Sequence, residues 1–214
     1  GDHRDLHYPL RRQRQMCIRD RLGPAFKSTV NNSYQLAQKY IDQTEKNNAF
    51  REAVMEDLPE IWIILKQAIQ RRKEEGSNQW QDGYPNPEVI THDIKHKQGF
   101  VLTEGETVIG YTAVLINDEP EYDRLEGKWI TNGDFVVFHR VAISENHLGK
   151  GYAKMMMKSI ESHALSKNIY SIKADTNHDN GPMKRIFETL GYQFCGRVYF
   201  RGSPRNAFEK VLSK

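Results

Sequence analysis

Val141-Ala142-Ile143-Ser144-Glu145-Asn146-His147-Leu148-Gly149-Lys150-Gly151-Tyr152-Ala153 joins two unlike patterns. Before it, Phe135-Val136-Val137-Phe138 is an unbroken apolar run, the mark of a buried strand. After it, Lys154 to Ile160 carries a helical pattern. Gly149 and Gly151 therefore lie where a strand hands over to a helix. Glycine accepts backbone conformations that other residues resist and lets a ligand come close. The first amides of a helix have no acceptor within the helix, and the macrodipole makes that end partly positive. Strand, glycine turn and helix N-terminus together make an anion site, most naturally for phosphate. Read as structure alone, the two glycines need be no more than turn residues. No Gly-x-x-x-x-Gly-Lys-Ser/Thr occurs, which excludes a P-loop. No Gly-x-Gly-x-x-Gly opens the first strand–helix unit, which speaks against a dinucleotide fold.

Periodicity extends the reading outward. Ala153, Met156, Met157, Ile160 and Ala164 form one apolar helix face, and its methionines are core filling. Ile169–Ala174 reads as the next strand. Asn180 is placed to cap a helix whose stripe is Met183, Ile186, Phe187 and Leu190 and whose end is Gly191. Strands over 192–195 and 207–212 complete the sheet. Upstream, Phe50–Val54 reads as a strand. Asp57 is placed to cap a helix with the stripe Leu58, Ile61, Trp62, Leu65 and Ile69, closed by Arg71-Arg72-Lys73, where positive charge suits the dipole. Residues 76–94 read as a loop anchored by Trp80 and Tyr84. Residues 100–103 and 107–116 read as a hairpin. Asn117–Gly133 reads as a surface excursion, and Asp134–Ile143 as the central strand. The class is mixed α/β: one twisted, mainly antiparallel sheet with helices on both faces.

Composition sets the bounds. The chain of 214 residues suits one domain, with 38% hydrophobic residues and a mean hydropathy of −0.74. No stretch approaches the roughly 20 apolar residues of a membrane span, and no secretory signal is expected. Cys17 and Cys195 offer no disulfide framework, so the cytoplasm is the default compartment. His147, His163 and His178 are too scattered for zinc, and no metal is expected. The net charge of +3 comes from residues 1–21, where six arginines face three aspartates. The remaining 25 basic and 25 acidic residues balance, so the body gives no ground for nucleic-acid binding. Residues 1–22 read as a basic leader foreign to the rest, either disordered or of the kind left by a translated sequencing adapter. Residues 23–49 read as a polar linker, and the domain as 50–214.

The glycine segment resembles the acetyl-CoA-binding motif of the GNAT superfamily of N-acetyltransferases. That signature, Arg/Gln-x-x-Gly-x-Gly/Ala after a strand ending in Val-Ala-Val, falls on Leu148–Ala153 behind Val141-Ala142-Ile143. Gly151 and Ala153 match, whereas Leu148 departs from Arg or Gln. Val108-Ile109-Gly110-Tyr111 resembles the family's third strand, and Asn180-x-x-Met183 to Gly191-Tyr192 its last helix. The stretch Gln79-Trp80-x-x-Gly83-Tyr84-Pro85 looks like that of a bacterial subgroup of mostly unassigned substrate.

The resemblance implies acetyl-CoA as co-substrate in a gap between two splayed parallel strands, 134–143 and 169–174. It would be held by Val141, Ala142, Ile143, Leu148, Gly149, Lys150, Gly151, Tyr152, Ala153 and Asn180. Trp80 and Tyr84 would wall the acceptor side. The expected partner is a small-molecule or peptide primary amine, acetylated directly in a ternary complex, with room for a homodimer. A glutamate frequent on the central strand is Val137 here, and a frequent general-acid tyrosine is Phe187. His139, on the alternating face of Val137 and Val141 if no bulge intervenes, is then the candidate base. A non-catalytic acyl-CoA-binding module is the alternative, consistent with Val137 and Phe187.

Overall fold

The computed structural model describes residues 32–36 and 48–213. Residues 32–36 form a helical segment within a unit of their own that ends at Asn47, and the second unit begins at Asn48. The basic leader and most of the polar linker lie outside the described residues.

Among the described residues, eight strands form one sheet. In chain order the elements are β1 (Asn48–Glu52), α1 (Leu58–Glu74), α2 (Pro87–Lys95), β2 (Gly99–Glu104), β3 (Thr107–Ile116), β4 (Glu126–Gly127), β5 (Val136–Ile143), α3 (Tyr152–Ser166), β6 (Ser171–Thr176), α4 (Gly181–Leu190), β7 (Gln193–Phe200) and β8 (Ser203–Val211). The strand order is β1-β2-β3-β5-β6-β8-β7-β4, and every neighbour pair is antiparallel except β5 with β6. That parallel pair is in register only at Val136↔Ile172 and Val137↔Lys173. Beyond those residues the two strands part, so the C-terminal half of β5 faces a slot instead of a neighbour.

Helices cover both faces. The methionine stripe of α3 and the Phe187 stripe of α4 pack on Val136, Phe138 and Ile143. On the other face, α1 and α2 pack on Val101, Val108, Tyr111 and Ala142. Asn180 caps α4 as its sequence position suggests, its Oδ1 accepting from Met183 N at 3.2 Å. Gly191 ends the helix at φ 80°, a left-handed turn that glycine takes without strain.

Three local expectations are corrected. Asp57 does not cap α1. Its carboxylate turns back to accept from Val54 N at 2.8 Å and from Arg51, closing the short 3-10 turn before the helix. Residues 76–94 are not all loop, because Pro87–Lys95 is helical, with Asn86 Oδ1 capping Val89 N and Pro87 in the first turn. Asn117–Gly133 is not merely an excursion over the surface. Its Tyr122 is buried, and Glu209 pins it by accepting from Ile130 N at 2.6 Å and Thr131 N at 3.2 Å.

Phe187 makes ring contacts with Phe138, Tyr192 and Phe208 and is fully buried. It is a core residue of the α4 layer. Phe187→Ala is expected to lower stability by roughly 3–5 kcal/mol, read as a drop in the urea midpoint with an unchanged slope. Phe187→Leu, which restores most of the volume, recovers the larger part of that loss.

Candidate active site

The slot between β5 and β6 opens into a cleft of about 330 Å³. Its wall on one side is β5 from Phe138 to Ile143, and on the other Asp175, Thr176 and Asn180. Leu148 and Ala153 reach it from the start of α3, and Trp80 and Tyr84 from the loop before α2. Of the residues singled out in the sequence, His139, Val141, Ala142, Ile143, Leu148, Ala153, Asn180, Trp80 and Tyr84 thus share one cleft. Gly149, Lys150, Gly151 and Tyr152 do not line it and form the turn at its edge.

That turn depends on its glycines. Gly149 and Gly151 adopt φ 73° and 86°, in the left-handed region, and Gly151 is the residue from which α3 starts. A Cβ at either would meet no neighbouring atom within 4 Å, so the requirement is conformational and the space beside the turn is open. The Tyr152 side chain points elsewhere. It is buried, and its hydroxyl donates to Glu104 Oε1 at 2.6 Å. The Asn180 side chain is engaged at both ends, by Met183 N and by Gln79 Oε1 at 3.3 Å.

The wall formed by β5 is not a regular strand. Between the pairs Tyr111↔Ala142 and Ala113↔His139, β5 spends one residue more than β3. This bulge is at Arg140, whose φ is 59°. Thr112, buried opposite the bulge, donates its hydroxyl to the His139 carbonyl at 3.0 Å. The bulge overturns the simple alternation read from sequence. Val137 and His139 share the α1/α2 face, but Val141 packs with the α3 core and Ala142 with the α1 core. Arg140 turns to the same face as His139. Its guanidinium donates to Asp93 Oδ1 at 2.8 Å and to the Tyr84 hydroxyl. Tyr111 donates to the other Asp93 oxygen at 2.6 Å. Burial works against the Arg140 charge, but Tyr84, Asp93 and Tyr111 outweigh it and hold its pKa above the ordinary arginine value. Burial, reinforced by Asp93, also raises the Tyr111 phenol.

His139 has a partner that the sequence reading missed. Its Nε2 lies 2.7 Å from Glu119 Oε2, and both side chains are largely shielded from water. Glu119 comes from the segment read as a surface excursion. Burial pushes its carboxyl above the usual glutamate range; the hydrogen bond to His139 pulls it down, and one with Glu121 adds to the rise. Beside this pair, Asp175 accepts from Tyr122 at 2.9 Å and from Arg205 at 3.0 Å. No sequence signal at Glu119 could have found it, because its partner is 20 residues away across an irregular segment. Arg72, read as a dipole-favouring helix end, is instead buried and ion-paired to Asp179 at 2.9 Å and to Glu75. Among the described residues, no group of histidine, cysteine and carboxylate side chains converges to hold a metal ion.

A raised carboxyl pKa means that the folded chain binds the Glu119 proton more tightly than the unfolded chain does. Its contribution to stability is present at acid pH and is lost as pH rises through the folded value. Glu119→Gln is therefore expected to gain stability relative to the parent as pH goes from 4 to 7. The check is thermal midpoints of both proteins across that range; a constant difference would contradict it.

The family model for the GNAT acetyltransferases matches residues 48–192. A GNAT-family acetyltransferase structure from Streptococcus agalactiae is similar at a TM-score of 0.73 and 32% identity, over 78% of this chain and 96% of that one. Another, from Listeria monocytogenes, reaches 0.61 at 21% identity over 77% and 95%. A Salmonella typhimurium protein solved with its cofactor acetyl-CoA reaches 0.58 at 17% identity over 78% and 95%. The last two are likenesses of fold. No curated protein matches the sequence. No described helix is long and apolar enough to cross a membrane.

Proposed function

Because the chain belongs to the GNAT family of acetyl-CoA-dependent acetyltransferases, we propose that it acetylates a primary amine of a small molecule or peptide, directly in a ternary complex, with His139 as base. The observation that carries the reading is the carboxylate-held histidine on the wall of the slot. Acetyl-CoA, when bound, supplies an activated acetyl thioester. The chain's own groups suit such a ligand. The splayed half of β5 leaves the backbone of Val141, Ala142 and Ile143 along the slot, where it can bond an extended arm as an added strand would. The turn from Leu148 through Gly149, Lys150, Gly151 and Tyr152 to Ala153 directs the opening amides of α3 at anionic groups. Asn180 lines the same wall and keeps its helix start in place.

On the other face, Trp80 and Tyr84 bound the space for the amine. An ammonium is no nucleophile, so its proton must leave. Glu119 on Nε2 fixes the tautomer in which that nitrogen carries hydrogen, and Nδ1 is the nitrogen free to take a proton. The histidine cation that results is stabilised by the Glu119 carboxylate behind it. The fully buried Val137 cannot serve in that role, and Phe187 belongs to the core. The base is therefore delivered two residues further along β5.

Acetyl-CoA at 100 times its Kd is expected to stabilise the protein by roughly 2.7 kcal/mol, measured by thermal shift and calorimetry. Gly151→Val, forced into a left-handed backbone, is expected to weaken that binding. With a panel of amines, His139→Ala is expected to lower kcat by roughly 10²- to 10⁴-fold, with the Kd for acetyl-CoA unchanged. A parent protein that binds acetyl-CoA and acetylates no amine would instead be an acyl-CoA-binding module.

A further inference from the structure

Arg71, Arg72, Arg140 and Arg205 all line the cleft. Each has a buried nitrogen with no hydrogen-bond partner, Nη1 of Arg71 and Nε of the other three. Leaving a buried donor without an acceptor is costly, more so when the donor is charged. Three of the four guanidinium groups are ion-paired through Nη atoms, Arg72 with Asp179 at 2.9 Å, Arg140 with Asp93 at 2.8 Å and Arg205 with Asp175 at 3.0 Å, which leaves each Nε unpaired; of the acids on these arginines, Asp175 and the Arg72 partner Glu75 also line the cleft. Among the described residues Arg71 has no carboxylate partner. The cleft thus presents positioned N–H donors and one arginine whose charge is unmatched.

Their side of the sheet says which ligand would meet them. Arg71 and Arg72 come from α1. Arg140 faces Asp93 of α2, and Arg205 meets Asp175 beside Tyr122. These elements form the layer opposite α3 and α4. The glycine turn, the anion site already described, opens α3. An anion bound by the arginines therefore arrives with the second substrate.

We propose that this cleft selects an amine that also carries a carboxylate, with the acid group seated against Arg71 and its neighbouring arginines. The inference rests on the transfer reading in taking the α1/α2 side as the amine's entrance. A guanidinium is a planar fork whose paired donors match the two oxygens of a carboxylate. The amine shares the cleft of about 330 Å³ with the acetyl-CoA arm, which leaves room for a small molecule only. The class is therefore a free amino acid or a very short peptide, whose amine and carboxylate lie within one cleft. A protein N-terminus, with no carboxylate close to its amine, fits poorly.

The test compares free amino acids with the matching amino acid amides, which differ only in that charge. Binding to the protein–CoA complex is measured by calorimetry, and kcat/KM by CoA release. The parent is expected to favour the acids roughly ten- to a hundredfold, the scale of one charge-assisted contact. Arg71→Gln, at a residue with no ion pair among the described residues, is expected to erase that preference with an unchanged melting temperature and an unchanged Kd for acetyl-CoA. Equal binding of acids and amides, or binding of neither, overturns the proposal. So does an Arg71→Gln variant that loses acetyl-CoA affinity, since the arginine would then serve the cofactor's phosphates. If the acids bind selectively but no amine is acetylated, the anion site stands and the transfer reading fails.

Discussion

One extra residue in β5 governs the geometry of the cleft. A regular strand would set His139 and Arg140 on opposite faces. The bulge at Arg140 puts both on the α1/α2 face, one held by Glu119 and the other by Asp93. A non-glycine residue at φ 59° is unfavourable by itself and persists only where surroundings over-determine it. Here they do. Thr112 bonds the carbonyl before the bulge, while Asp93 and Tyr84 grip the guanidinium. Because Asp93 is buried, removing Arg140 would strand a carboxylate away from water, so the bulge and the ion pair sustain each other. The same guanidinium reaches Tyr84 in the loop before α2, which ties the loop's aromatic wall to the strand.

A second constraint acts from β8, the strand next to β6. Glu209 is fully buried and accepts from Ser171 of β6 as well as from Ile130 and Thr131. Lys173 of β6 places its ammonium over the rings of Trp129 and Phe135, 4.7 Å and 4.2 Å from their centres. These contacts fasten the segment from Asn117 to Phe135 to β6 and β8. The segment carries Glu119 at one end, so the buried network around Glu209 fixes where the His139 partner stands. Buried polar groups of this kind specify one arrangement only when each finds its partners. Glu209 meets that condition with four donors.

The division between what the sequence disclosed and what it hid follows from range. The glycine turn, the methionine stripe of α3, the Asn180 cap and the Gly191 stop are local signals, each decided within a few residues, and each element formed where its signal lay. Pro87–Lys95 had its own local signal in Asn86-Pro87-Glu88, a cap followed by a favoured first-turn proline. Reading those residues only as the flank of Trp80 and Tyr84 hid the helix. The His139–Glu119 contact and the Arg72–Asp179 pair had no local signature at all. Each joins segments whose meeting depends on sheet order. The bulge was hidden for a further reason: it is spelled His-Arg-Val in an otherwise ordinary strand, and only the register against β3 exposes it.

The arginines show why charge counts mislead about such a site. The body of the chain is electrically balanced, and three of the four cleft arginines are individually matched by acids. Yet each pair engages only Nη atoms of its arginine, and Asp93 and Asp175 are themselves tightly packed, with side chains only 4% and 1% exposed. An ion pair through Nη leaves the buried Nε of each of these arginines without a partner. It fixes the planes of the guanidinium groups, so that little side-chain freedom remains to be lost when a ligand binds. A neutral chain can thus hold a locally donor-rich cleft. His139 is likewise held by a largely shielded carboxylate, that of Glu119, two residues along β5 from the fully buried Val137. In each case a carboxylate sets the orientation of a basic group that lines the cleft.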